Sequence, residues 1–229
     1  MSNGTTTSRT PVRGPKALLM DLRSAFRARS GLPWTGRLAS KDERGAALIE
    51  AAFVIPVLVV IVLGIMEFGL VFASTSTATQ ASRSGTRVAA VQYAAAGTTS
   101  QAQRTATDSI AAAVSADLKG LGGATPVGIA IYKVDPASTS GLPVGGNPGA
   151  NLVGGCTDRC VRYTWNGTTL AYSSGSWTDP DACGATIDSI GVYVQANHRY
   201  VTGLLGSTRT VTGKTVMRLE PLSTDQCTG

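Results

Sequence analysis

The sequence predicts an α+β fold: a single N-terminal transmembrane helix that extends outward and packs on a small antiparallel sheet domain. Three observations carry this. A near-continuous apolar block runs from Ala46 to Ala73. An Ala-rich, proline-free stretch with helical spacing follows it as far as Leu118. Beyond that lie four β-rich runs separated by Gly, Pro, Asn and Ser. A long helix ahead of a set of strands is the pattern of a helix laid on one face of a sheet. The expected organisation is a basic cytoplasmic leader at 1–45, a transmembrane helix at 46–73, an extracytoplasmic helical region at 74–119 and an extracytoplasmic β-rich domain at 120–229.

The leader comes first. Residues 1–45 hold nine Lys/Arg against three acids, a net +6 that equals the formal net charge of the whole chain. Basic residues ahead of a span orient it with that end in the cytoplasm and are drawn to anionic lipids. Residues 74–229 hold eleven Lys/Arg against nine acids, and no basic stripe interleaved with aromatics, so nucleic acid is not an expected partner. Within the leader, Leu18, Leu19, Leu22 and Phe26 recur at helical spacing among Arg23, Arg27 and Arg29, the pattern of a short basic helix on the inner membrane face. A solvated tail with transient helix is the alternative.

The span follows. Ala46–Ala73 contains 28 residues, about 42 Å of helix against a hydrocarbon core of about 30 Å. It crosses once and projects. It carries two acids, Glu50 near the inner boundary and Glu67 near the outer one. An acid costs less toward an interface than at the bilayer centre. Glu67 is therefore expected to snorkel or to take part in helix packing. Pro56 lies inside the helix, where it removes one backbone bond and marks a point of bending or packing. A cleaved signal peptide ending at Val71-Phe72-Ala73 is not expected, because the apolar stretch is too long and about 45 residues precede it.

After the span, "TQASRSGTRVAAVQYAAA" is expected to continue the helix. "SQAQRTATDSIAAAVSADL" places Ile110, Val114 and Leu118 on one helical face, and "KGLGGATP" ends it. The expected strands are 127–134, 160–165, 189–201 and 210–219. Asn166-Gly167-Thr168 has the form of a glycosylation triplet but is read as a turn between strands.

Cysteine placement adds a compartment. Cys156, Cys160, Cys183 and Cys227 all follow the span. An even number on one side of a membrane points to disulfides in an oxidising compartment, in any of three connectivities. A zinc site is the rival, but Cys156 and Cys160 have no second close pair and His198 is the only histidine. No catalytic residue, metal or cofactor is expected. His198 has no nucleophile or carboxylate tied to it in sequence, and reads as a surface or sheet histidine. "GLGG" at 120–123 lacks the Lys-Ser/Thr of a phosphate loop.

The informative segment is "ERGAALIEAAFVIPVLVVIVLGIMEFG". Its Glu43-Arg44-Gly45, with Glu50 one turn into the membrane, resembles the prepilin cleavage motif of type IV pilins. There a peptidase cuts after Gly and an acid stands fifth in the mature chain, as Glu50 does counting from Ala46. More narrowly, the chain resembles the TadE-like pseudopilins of the Tad (tight adherence) pilus system. The resemblance rests on Glu50, Pro56 six residues later, "GIMEFG" at the end of the span, and the small-residue and Arg-rich "ASRSGTRVAA". "SIGVYVQANHRYVTGLL" and "TVMRLEP" also resemble the family's C-terminal sheet. One position departs: Ala51 follows Glu50 where pilins of this class commonly carry an aromatic, and the first aromatic is Phe53.

The resemblance implies a minor structural subunit used in pilus assembly and adhesion, cut between Gly45 and Ala46, with Glu50 serving assembly. Its implied partners are other pilin or pseudopilin subunits, a prepilin peptidase and membrane lipids. Its implied location is the cell membrane, as a single-pass protein, and the extracellular pilus. The alternative is a permanently anchored envelope protein whose outer domain binds a ligand or scaffolds a complex.

Overall fold

The computed structural model describes residues 41–229 except Thr98, Cys156, Ala185, Leu204, Leu205, Thr228 and Gly229. The leader and its basic helical segment at 16–29 therefore lie outside the described residues, apart from the helical start at Lys41. The elements run α1 (Lys41–Ala95), α2 (Ser100–Leu118), β1 (Ala124–Lys133), α3 (Pro148–Gly154), β2 (Cys160–Trp165), β3 (Leu170–Ser176), β4 (Ser189–Arg199) and β5 (Thr208–Arg218). By contacts the chain divides into residues 1–53 and 54–229. The fold is α+β, with α1 and α2 on a five-stranded antiparallel sheet of order β3-β2-β1-β4-β5.

Each helix has an identifiable sequence cause. From Val54 to Val62 every residue of α1 is exposed, and nearly all are Val, Ile or Leu. By length and composition this helix is able to cross a membrane. Its later half changes character. Ser74, Ala78, Ala81, Ser82, Gly85, Thr86, Ala89, Ala90 and Tyr93 form a buried stripe at helical spacing. The small side chains permit close approach. A Cβ on Gly85 would stand 2.4 Å from a Val114 methyl on α2, and one on Gly213 of β5 would stand 2.2 Å from the Ala78 carbonyl oxygen. Hydroxyls in this half serve the helix itself: Thr75 donates to the Val71 carbonyl at 2.9 Å and Thr79 to that of Thr75 at 2.9 Å. Helix α2 begins at the N-cap Thr99, whose side chain accepts from the Ala102 N–H, and buries Ile110, Val114 and Leu118 as expected.

The main core lies between these helices and one sheet face, built on Ile129, Ile131, Val161, Tyr163, Ile190, Val192 and Val194. Polar ties fix the helices to it. Ser82 and Thr215 share a hydrogen bond of 2.8 Å, and the Ser115 hydroxyl accepts the Leu170 N–H at 3.0 Å. On the opposite face Ala130, Tyr132, Val134, Leu152 and Cys160 form a smaller cluster under α3.

Two elements depart from the sequence expectation. The sheet has a fifth strand, β3, whose sequence "LAYSSGS" buries only Leu170. It is an edge strand and so has neither two neighbours nor an apolar face to show. Helix α3 lies within the Gly/Pro-rich segment read as loop. Pro148 starts it and the Asn147 side chain accepts the Gly149 N–H, the standard opening of a short helix. The Asn166 triplet is the turn between β2 and β3: Asn166 Oδ1 accepts the N–H groups of Thr168 and Thr169 at 3.0 and 2.9 Å.

Candidate functional site

The candidate site has two parts on α1. The first is an apolar surface. Leu48, Ile49 and Phe53, then Val54 to Val62, Ile65, Met66, Phe68 and Phe72, are all exposed large hydrophobics or lie within the exposed run. An apolar surface this extensive is a site of membrane or protein interaction. Gly45, Ala46 and Glu50 stand at its start, all exposed, with Gly45 and Ala46 already helical. A Cβ on Gly45 would meet nothing within 4 Å, so packing does not demand glycine there. Pro56 is exposed and the helix continues through it.

The second part is a clasp where the apolar surface gives way to the buried stripe. Glu67 is only 2% exposed. Its Oε1 accepts the Thr202 backbone N–H at 2.5 Å and the Thr202 hydroxyl at 2.9 Å, while Oε2 has no hydrogen-bond partner. Two turns further on, Ser74 Oγ lies 3.0 Å from the Leu70 carbonyl, 3.3 Å from that of Gly122 and 3.0 Å from His198 Nδ1. One hydroxyl hydrogen cannot serve both carbonyls and the imidazole. The assignment that satisfies the group has His198 Nδ1–H donating to Ser74 Oγ, which donates in turn to a carbonyl. His198 is fully buried at the end of β4, its ring edge-on to Tyr200 at 5.8 Å, and its Nε2 has no partner. Thr202 and His198 thus come from the end of one strand and the turn after it. They hold α1 at two points one heptad apart.

This geometry gives Glu67 a set of partners that sequence reasoning did not supply. The carboxylate does not reach outward; the domain covers it. His198 is a sheet histidine with a structural partner. Ser74, His198 and Thr202 were missed as a group because 124 and 135 residues separate the bonded pairs, and no local pattern marks them.

Cys183 and Cys227 form a disulfide with 5.7 Å between Cα atoms and a sequence separation of 44, tying the β3–β4 connection to the C-terminal tail. Cys160 is also disulfide-bonded. Cys156 lies outside the described residues. Among the described residues no group of three or more His, Cys, Asp or Glu could hold a metal ion. Electrostatics in the domain are local. Lys133 pairs with the largely buried Asp188 at 2.7 Å. Arg159 hydrogen-bonds Asp179 at 2.9 Å and holds its carboxyl below the usual range. Burial raises the phenols of Tyr93, Tyr132 and Tyr163 above theirs.

A long apolar helix that continues into the core of an α+β domain is, by its length and composition, a candidate membrane span. The family model described as TadE-like protein matches residues 45–87, which contain the apolar surface, both acids, Pro56 and the first half of the small-residue stripe. The resemblance read in the sequence holds over that segment. The family is a structural one. No curated protein and no solved structure matches the chain.

Proposed function

We propose that the protein is a minor pseudopilin-like structural subunit of a Tad-type pilus, acting in pilus assembly and adhesion. The observation that carries this reading is the family match over residues 45–87, because it takes in the run from Val54 to Val62, whose side chains are apolar and exposed in the single chain. Such a surface is stable in lipid before assembly and against neighbouring helices after it. Lipids and other pilin subunits are thus successive partners of the same face, with the leader in the cytoplasm and the domain outside.

A prepilin peptidase is the partner that separates the two states. Cleavage between Gly45 and Ala46 creates an α-amino group on Ala46, largely protonated at neutral pH. Glu50 lies one turn away on the same face. It pairs with its own new amine or with that of a staggered neighbour. The second pairing sets register, since a misaligned subunit leaves a charge unpaired in hydrocarbon, at a typical cost of about 3–5 kcal/mol. The test is recovery of the chain in pili sheared from cells that express the peptidase. Glu50→Gln is expected to leave cleavage intact and to deplete the protein from sheared pili. Equal amounts of wild type and Glu50→Gln there would remove the pairing role, and absence of the wild type from pili would oppose the subunit reading.

A further inference from the structure

A cavity of about 160 Å³ lies where the first turns of α2 meet β2, β3 and the chain just after β3. Its lining includes Gln103, Arg104, Tyr172 and Trp177. Its lining lies outside the family match, with Tyr93 the nearest to it in sequence, and plays no part in the clasp.

Three of these residues hold buried polar atoms with no hydrogen-bond partner: Gln103 Oε1, Arg104 Nη1 and Trp177 Nε1. Gln103 and Trp177 are 4% and 2% exposed. The Gln103 amide also donates to the Gly97 carbonyl, and the Trp177 carbonyl accepts the Tyr93 hydroxyl. The Arg104 guanidinium lies over the Tyr172 ring, 3.2 Å from its centroid, and makes no ion pair among the described residues. Asp108, one turn along α2, instead accepts the Tyr163 hydroxyl at 2.6 Å.

Buried polar groups in native proteins are nearly always satisfied, and a buried charge without a partner is the costliest exception. Here two unspent N–H donors, one of them cationic, share a cavity with one unspent carbonyl acceptor and two aromatic walls. A neutral ligand leaves the guanidinium without a counter-charge. A carboxylate answers both donors, since guanidinium and carboxylate make the strongest charge-assisted hydrogen bonds. The carbonyl acceptor then calls for a hydroxyl beside that carboxylate. A cavity of about 160 Å³ is of the size that takes a small organic molecule, here a small acid or the acidic end of a sugar. We infer that this cavity is a binding site for a hydroxy-carboxylate, held by Arg104 and Trp177 through the acid group and by Gln103 through the hydroxyl. The inference goes beyond the pilus reading and does not depend on it.

Lactate and glucuronate present this chemistry as a free hydroxy acid and as a sugar acid, and glucose lacks the acid. Each is titrated against the full-length chain in detergent micelles by ligand-observed NMR. Saturable binding of one or both acids without glucose is expected. Binding of lactate alone identifies the free acid as the source, and binding of glucuronate alone the sugar acid. Arg104→Ala and Trp177→Phe should each weaken binding about tenfold or more. Trp177→Phe keeps an aromatic wall while removing the N–H and part of the indole, and circular dichroism checks that both variants fold. Gln103→Glu, which puts a second carboxylate in the cavity, should abolish binding. Saturation by neither acid, glucose binding as tightly as glucuronate, or affinity unchanged in folded Arg104→Ala and Trp177→Phe would overturn the assignment.

Discussion

At the scale of single residues, Glu67 carries most of what the structure adds. From sequence it is an acid near the end of an apolar helix. In the fold its Oε1 accepts two hydrogen bonds from Thr202 at 2.5 and 2.9 Å. Hydrogen bonds to a charged group are worth about 1.5–3 kcal/mol each. Glu67→Ala is therefore expected to lower the stability of the domain by about 2 kcal/mol or more, measured by denaturant unfolding in micelles. Glu67→Gln, which keeps an acceptor oxygen, should cost less. Equal stability of Glu67→Ala and wild type would mean that the clasp contributes nothing. No amount of local reading finds this partner, because sequence spacing reports which face a residue occupies and not what folds back onto it. His198 shows the same limit: its lone position argues against catalysis, yet nothing nearby announces Ser74. A second residue-scale expectation concerns pH. The Arg159 guanidinium lowers the folded-state pKa of Asp179. A carboxyl depressed in the folded state contributes stability above its ordinary pKa, and that contribution disappears as pH falls through the folded value. Stability should thus decline in acid below about pH 4, and Arg159→Ala should flatten that decline. An identical acid profile in the variant would show the pair to be silent.

At the scale of elements, α1 is two helices in one. Its early part is apolar and exposed, and its later part is small-residued and buried. The apolar half was legible because hydrophobic runs are the strongest sequence signal. The later half was legible as helix from its composition, but its buried face was not, since Ala, Ser, Gly and Thr differ little in polarity. Close approach is the reason for those residues, and Gly213 tests it. Adding a Cβ there places it 2.2 Å from the Ala78 carbonyl oxygen. Gly213→Ala should destabilise the domain by about 1–3 kcal/mol, the usual cost of overpacking. Gly64→Ala, which meets nothing within 4 Å, is the control and should be tolerated. A tolerated Gly213→Ala would show that α1 and β5 separate easily. Strands β1, β2, β4 and β5 were readable from β-branched and aromatic runs. The polar edge strand β3, which buries only Leu170, and the short α3, set in a Gly/Pro-rich segment, were not. The disulfide Cys183–Cys227 closes a loop of 44 residues. Its reduction should cost about 2–4 kcal/mol, seen as a lower unfolding midpoint with reductant present. An unchanged midpoint would mean that the tail is held without it.

At the scale of the whole molecule, the account joins a leader, a membrane helix and an outer domain through one chain segment. The proposed orientation rests on charge, with nine Lys/Arg in residues 1–45 and few basic residues directly after Ala73. Protease added to intact spheroplasts should remove residues 74–229 and spare the leader; digestion of the leader alone would reverse the topology. The central claim is that the chain is a processed pilus subunit, and the bond between Gly45 and Ala46 is where it is most exposed to refutation. Both residues are solvent-accessible near the start of α1, where a helix end opens at little cost. The direct measurement is N-terminal sequencing of the protein extracted from membranes of a strain with an active pilin peptidase. The account predicts chains that begin at Ala46; chains that retain Met1 or Ser2 would contradict it.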